Sequence, residues 1–433
     1  MDGSLVTLVM LVLLVLFAIN VPVAFAMLLA TWLFFAANGS LPMAIFPQRM
    51  VALVESFTLL AVPFFILAAS LMNASGLTER IVRLAAALVG HFTGGLGQVN
   101  IVVSTLFGGI SGSANADAAA EAKLIVPAMV NRGYTPTYSA AVTAASAIIT
   151  ALIPPSITLI IYAWLAEVSV GRLFLGGMAV GLLVTAAMML VNYVIARRRG
   201  YELGGDNQFS WHELWEAFKG SLWALTVPIV IVGGIRFGVF TATEAGAAAA
   251  VYAFLLGKFV FKTLRWRDLP GILRESLHAT AVVMMIIAAA APFGWLITYA
   301  RLPQQATEFL LAISNNPTVV LLLLNVFLLL LGMFMEGTAL MIILVPLLAP
   351  AIKAIGIDPV HFGVIVGFNL LIGALTPPVG VLLYTTCSVV KGVSIGGITR
   401  EIWPFIAISV ACLLLTTFQP DLVLFVPNLL MGP

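Results

Sequence analysis

Apolar residues follow one another along this chain in long stretches with no strand-like alternation and few charges inside them. They occupy residues 4–19, 21–37, 51–75, 97–108, 114–130, 137–168, 173–196, 221–238, 243–260, 270–300, 319–350, 360–390 and 402–427. A bilayer-crossing helix takes about 20 apolar residues, so the pattern predicts an all-α polytopic membrane protein with about ten full spans, the remaining stretches being too short or too broken for simple crossing. The first stretch follows Asp2 without a basic cluster and is expected to be a retained span rather than a cleaved signal. One polar segment divides the chain, residues 197–219 (RRRGYELGGDNQFSWHELWEAFK). Its basic triplet and Trp-containing amphipathic continuation predict a cytoplasmic connector with an interfacial helix.

The two sides of that connector match. Gly109 and Gly332, Pro127 and Pro350, Pro136 and Pro359, and Pro154-Pro155 and Pro377-Pro378 are all separated by 223 residues. Four anchors at one offset predict two structural repeats, 1–196 and 220–433, joined by the 197–219 connector. The Arg197–Arg199 triplet and the Lys258, Lys262, Arg265 and Arg267 cluster are both expected in the cytoplasm, with two spans between them. The 238–246 turn then lies outside, with Glu244 as a helix-start charge, while the corresponding turn at Asn20–Pro22 lies inside. The repeats are therefore expected to be inverted, with both chain ends outside.

Composition agrees with the pattern: 62% of residues are hydrophobic and 9% charged, which excludes an ordinary soluble protein. Net charge is only +2, so no basic surface for nucleic acid is implied. Cys387 and Cys412 lack CxxC spacing, and His91, His212, His278 and His361 lie far apart without HExxH. That argues against a disulfide, a transition-metal site or a metalloenzyme, and without a GxSxG motif no enzyme is expected.

Polar chemistry concentrates at four interruptions. Residues 107–127 (FGGISGSANADAAAEAKLIVP) break an apolar run with glycines and with Ser111, Ser113 and Asn115, which predicts a re-entrant hairpin with its tip near 109–115. Non-helical backbone at membrane depth is tolerated where it is buried in protein or lines a wet cavity. Asp117 falls in the first turn of the second arm, where a carboxylate complements the positive helix end; capping and small-residue packing are the competing explanation of these residues. The second interruption, near 152–156, carries Pro154-Pro155, and two missing amides free carbonyls one turn earlier, near Thr150, Ala151 and Leu152. Repeat two has the same pair: a hairpin tip near 332–338 with Glu336, Gly337 and Thr338, and a break near 373–380 with Gly373, Thr376, Pro377 and Pro378. A kink without a ligand accounts for either break alone. Paired broken helices at corresponding positions point instead to a transporter's midplane site. Two clamshells are expected, each one tip against one break, with substrate between them. Its cavity candidates are Gly112, Asp117, Pro155, Glu336 and Pro378, and an intramembrane carboxylate such as Glu336 is a functional residue by default.

At GGISGSANADAAA (108–120), FTATEAGAAAAVYA (240–253) and NLLIGALTPPVGVLLY (369–384), the chain resembles the large membrane subunit of tripartite ATP-independent periplasmic (TRAP) transporters, the DctM-like family, over essentially its whole length. Ala242 stands where the family's TPTEA pattern has proline. The resemblance implies an elevator-type sodium symporter in the bacterial inner membrane. It also implies a small four-helix membrane subunit and a periplasmic substrate-binding protein as partners, and an organic anion as substrate. Carried over by motif, sodium site 1 comprises Ser111, Ser113 and Asn115 with the backbone from Leu152 through Pro154 to Ser156. Site 2 comprises Gly337 and Thr338 with Gly373, Thr376 and Pro377. The competing expectation is a sodium-coupled carboxylate carrier that needs no soluble partner.

Overall fold

The computed structural model describes residues 3–19, 21–39, 41–201 and 209–432. Asn20 of the expected inside turn and residues 202–208 of the connector lie outside the described residues. Among the described residues there is helix and no strand. The chain begins with α1 (Gly3–Ala18), α2 (Val23–Ala37), α3 (Ile45–Val54), α4 (Ala61–Ala74) and α5 (Leu77–Val89). The first hairpin is α6 (Gly95–Gly108) and α7 (Ala114–Asn131); the first broken helix is α8 (Pro136–Thr150) and α9 (Ile157–Ala166), followed by α10 (Val170–Arg199). After the connector come α11 (Trp211–Arg236), α12 (Ala242–Leu255), α13 (Leu269–Tyr299) and α14 (Leu302–Ile313). The second hairpin is α15 (Pro317–Gly332) and α16 (Gly337–Ile355), the second broken helix α17 (Pro359–Leu375) and α18 (Val381–Val389), and the chain ends with α19 (Ile395–Phe418) and α20 (Asp421–Met431).

The starts of these helices follow the rules of capping. Proline occupies the first turn of α8, α15 and α17, where its missing N–H costs nothing. Ser169, Ser210 and Ser394 accept amide hydrogen bonds at the starts of α10, α11 and α19. Glu244 is the helix-start charge the sequence suggests: it accepts the Thr241 amide at 2.7 Å in a capping box. Among the described residues, seven helical segments are long and apolar enough to cross a membrane, or eight if the α14–α15 pair, bent by 116°, counts as one. The sequence suggests about ten. Other apolar length sits in helices of 10–17 residues, of which α6 ends at a glycine tip, α9 begins after a proline break and α17 ends before one.

Two packing groups follow from which helices touch. α13 lies across α2, α3 and α4, α12 runs along α4, and α1 rests on α2. The hairpins and broken helices form the other group, in which the halves interlock crosswise: α7 packs on α18, and α9 packs on α16. The 223-residue offset survives in the helix starts, Ala114 with Gly337 and Pro136 with Pro359. Both Pro–Pro peptides are cis.

Each hairpin's first arm is stitched to its broken helix by a buried asparagine. Asn100 Nδ2 donates to Thr143 Oγ1 at 2.7 Å, and Ser146 Oγ donates to Asn100 Oδ1 at 3.0 Å. In the other half Asn369 Nδ2 donates to the Asn325 carbonyl (2.9 Å) and Oδ1 (3.0 Å), while Asn325 Nδ2 donates to Thr417 Oγ1 at 2.9 Å. Asn325→Ala removes two of those hydrogen bonds, the one accepted by Oδ1 and the one donated by Nδ2, and is expected to cost about 1–2 kcal/mol, read as a lower unfolding temperature in detergent. An unchanged temperature would mean that the α15–α17 seam is held by apolar packing alone.

Candidate functional site

The two tips and the two breaks meet around one cavity of about 810 Å³. From the first tip come Gly112, Ser113 and Asn115, and from the second Glu336, Gly337 and Thr338. Ile157 and Thr158 at the start of α9, and Val381 and Leu382 at the start of α18, complete the inner wall. The opposite wall is the beginning of α2 (Pro22 to Phe25) and the stretch of α13 from His278 to Ile286. Four helices, α7, α9, α16 and α18, thus present their N-terminal turns to a single space. The wall is predominantly apolar, and among the described lining residues His278 and Glu336 are the ionisable ones. The cysteines and histidines form no metal-binding group among the described residues.

The remaining sequence candidates lie behind the cavity surface. Ser111 is buried and donates to Asp117 Oδ2 at 2.5 Å, and also accepts the Ser113 amide at 3.2 Å. Asp117, expected at the cavity, is 1% exposed and does not line it; its carboxylate braces the tip from within. Pro155 and Pro378 do not line it either. Pro155 instead puts its carbonyl against the first tip, where a Cβ on Gly112 would come within 2.0 Å of that oxygen. Leu152, Pro154 and Ser156 are buried beneath.

The breaks leave fewer bare carbonyls than two prolines suggest. Ser156 Oγ donates to the Ala151 carbonyl at 2.5 Å and accepts the Leu159 amide at 3.3 Å, so it closes the gap in the first broken helix. Thr376 Oγ1 donates to the Ile372 carbonyl at 2.6 Å, and its amide to the Gly373 carbonyl at 2.9 Å. A hydroxyl whose proton is committed to a carbonyl turns only lone pairs toward its other neighbours, the property a hard cation needs. The second clamshell closes through backbone: a Cβ on Gly373 would fall 2.6 Å from the Gly332 Cα, and the Gly380 amide reaches the Met333 carbonyl at 3.4 Å. Pro377 sits between these contacts, at the turn.

Asn115 Oδ1 is sequestered from solvent with no hydrogen-bond partner among the described residues. A buried carbonyl-type oxygen without a donor is costly unless something positive faces it. Glu336 differs: it is exposed to the cavity and caps α16, accepting the Ala339 amide at 3.0 Å and the Thr338 hydroxyl at 2.8 Å.

Spacing alone does not reveal His278, because its neighbours in the cavity come from distant parts of the chain. The signal present in sequence is a lone imidazole two to three turns into a long apolar helix. Asn100, Asn325 and Asn369 carry a similar signal, single amides in apolar runs.

Comparison with known proteins adds an independent line. The family model described as the tripartite ATP-independent periplasmic transporter, DctM component, matches residues 10–422. The sialic acid TRAP transporter large permease protein SiaM of Vibrio cholerae is 42% identical, over 95% of this chain and 96% of that one. The sialic acid TRAP transporter permease protein SiaT of Haemophilus influenzae is 39% identical, over 99% of this chain and 69% of that one. Among solved structures, the YdaH transporter of Alcanivorax borkumensis superposes with a TM-score of 0.59 at 16% identity, covering 87% of each chain, which is a likeness of fold.

Proposed function

Because the chain belongs to the DctM component family of tripartite ATP-independent periplasmic transporters, we propose that it is the large permease subunit of a sodium-coupled, binding-protein-dependent importer of an organic anion, a C4-dicarboxylate or a sugar acid. The observation that carries this reading is the convergence of both hairpin tips and both post-break helices on one cavity, against a separate wall of α2 and α13. Organic carboxylates suit such a space, since helix N-termini favour negative charge. The two relatives named for sialic acid favour the same substrate class.

Sodium is cargo in this scheme. One ion lies between Ser111, Ser113, Asn115 and the backbone of Leu152 through Pro154 to Ser156; the other lies between Gly337, Thr338 and the backbone of Gly373 through Thr376 to Pro377. Each ion ties a tip to its break and so completes the substrate cavity. The unpartnered Asn115 Oδ1 supports the first position. The division into inverted repeats at 1–196 and 220–433, with 197–219 as cytoplasmic connector, fits the offset in helix starts and the crosswise packing of α7 on α18 and α9 on α16.

The hairpins and broken helices are the moving block of an elevator, and α1–α4 with α11–α13 the scaffold. Of the scaffold residues that reach the cavity, those of α2 come from its first turn, the end assigned to the cytoplasmic side by the positive-inside pattern, and those of α13 from its middle, His278 to Ile286. On that orientation the cavity opens inward. A small four-helix membrane subunit and a periplasmic binding protein complete the unit in the bacterial inner membrane.

The test is uptake of labelled organic acids into proteoliposomes containing this chain and the small subunit. Dependence on both a sodium gradient and the binding protein is the expected result. Sodium dependence alone would favour a carrier without a soluble partner, and dependence on neither would return the tips to a packing role.

A further inference from the structure

A second cavity, of about 210 Å³, lies where α5 meets the start of α11, and none of its lining residues belongs to the transport cavity. Arg83 and His91 border it from one side, and Phe209, Ser210 and Glu213 from the other. The two helices are bolted together beside it, for Ser221 Oγ donates to the Arg80 carbonyl at 2.9 Å and Arg80 Nη1 to the Gly220 carbonyl at 3.3 Å. Ser210 Oγ is spent on the start of α11, accepting the Glu213 amide at 3.3 Å. The charged ends are not spent. Among the described residues neither Arg83 nor Glu213 forms an ion pair, with each other or with any other group, whereas the next carboxylate along, Glu216, is paired with Lys219 at 3.0 Å. One cation and one anion that border a single space without meeting suit a ligand carrying the opposite pair of charges. Aromatic rings surround that space: Phe209 stands edge-on to His91 at 5.2 Å and to Trp211 at 4.9 Å, and Phe92 tilts against His91 at 4.3 Å. Trp211 is 76% exposed and Trp215 56%, and tryptophans bared beside charges at the start of a spanning helix mark the headgroup level of a bilayer.

We propose that the α5/α11 cleft binds a phosphate ester carrying a primary ammonium group, supplied by the ethanolamine headgroup of a membrane phospholipid. The Arg83 guanidinium takes the phosphate oxygens, for which its planar fork is suited, and the Glu213 carboxylate accepts hydrogen bonds from the ammonium. The acyl chains leave the cleft past the exposed rings of Trp211 and Trp215, whose amphipathic bodies sit at that depth. Glu213 sets the choice of headgroup. A choline group carries the same charge but has no N–H to donate, and a glycerol group offers Glu213 no cation. The bound lipid also ties two parts of the molecule together, because α5 packs on α11 of the scaffold and on α6 of the first hairpin. The proposal needs the chain to lie in a bilayer and is independent of what the chain transports.

The test titrates the permease, purified with its small subunit in detergent, with dihexanoyl phosphatidylethanolamine, phosphatidylcholine and phosphatidylglycerol, and reads binding from the rise in unfolding temperature. The ethanolamine lipid is expected to bind about tenfold tighter than the other two, the effect of its charge-assisted hydrogen bonds to Glu213. Glu213→Gln is expected to bring the ratio of ethanolamine to glycerol lipid close to one. Arg83→Ala is expected to weaken all three by about tenfold, since all share the phosphate. Glu216→Gln, which removes a neighbouring carboxylate that does not line the cleft, is expected to leave the ratio as it is. Both Arg83 and Glu213 are exposed, so their variants fold. Equal binding of the three lipids by the wild type overturns the proposal, and so does a preference that survives Glu213→Gln or is lost equally in Glu216→Gln. Soluble phosphoethanolamine that binds as tightly as the lipid overturns the membrane as the source of the ligand.

Discussion

Gly112→Ala is expected to disable transport and to lower stability by on the order of 3 kcal/mol. Two costs combine at this position. Gly112 has φ of +64°, a left-handed conformation that an L side chain enters at about 1–2 kcal/mol. Its Cβ would also lie 2.0 Å from the Pro155 carbonyl oxygen and 3.0 Å from the carbonyl carbon, and this obstacle is backbone rather than the end of a flexible side chain. The tip must move away from the break, and the seam that moves is the one assigned to the first sodium ion. Displacements of about 1 Å at a site cost roughly a hundredfold in rate, so uptake is expected to fall by that order. Gly133→Ala separates the two costs: its φ is +89°, yet nothing lies within 4 Å of the added methyl. That variant is expected to pay the backbone strain alone and to transport normally. Equal losses of uptake in the two variants would show that the tip-to-break seam has no special role.

How much of this arrangement is legible in sequence depends on whether its cause is local. The tips and breaks are, because Gly112, Pro154-Pro155 and Pro377-Pro378 act on their own backbone, and the shared offset of 223 exposes their pairing in the sequence itself. Caps are equally local: Thr241 and Glu244 are three residues apart and form the predicted helix start. What fails is orientation around a helix. Asp117 and Asn115 are two residues apart in the same first turn of α7, yet Asn115 lines the cavity while Asp117 is 1% exposed and bonded to Ser111. Only the packing of α7 against its neighbours decides which of the two meets the open space. The carbonyls freed by proline fail for a related reason, since Ser156 satisfies Ala151 across the break, a closure that depends on the turn's path. His278 was hidden because its significance comes from Glu336 and the tips, which only the tertiary fold places around one cavity with it.

Asn115→Ala is expected to raise the sodium concentration for half-maximal uptake by about tenfold, the effect of losing one ligand to a charged partner. The more discriminating result is expected without sodium. Asn115 Oδ1 is buried and has no hydrogen-bond partner among the described residues, so in the ion-free protein it is a desolvated acceptor that contributes nothing in return. Removing it therefore leaves the sodium-free unfolding temperature unchanged or slightly raised. In the presence of sodium the wild type is expected to gain stability through ion binding, by an amount that grows with the logarithm of ion concentration, and the variant to gain less at every concentration. A side chain that served only to hold the tip together would show the reverse, a lower unfolding temperature in both conditions with the sodium response intact. Measured together, thermal unfolding and uptake across a sodium titration thus separate a residue that waits for a cation from one that merely packs.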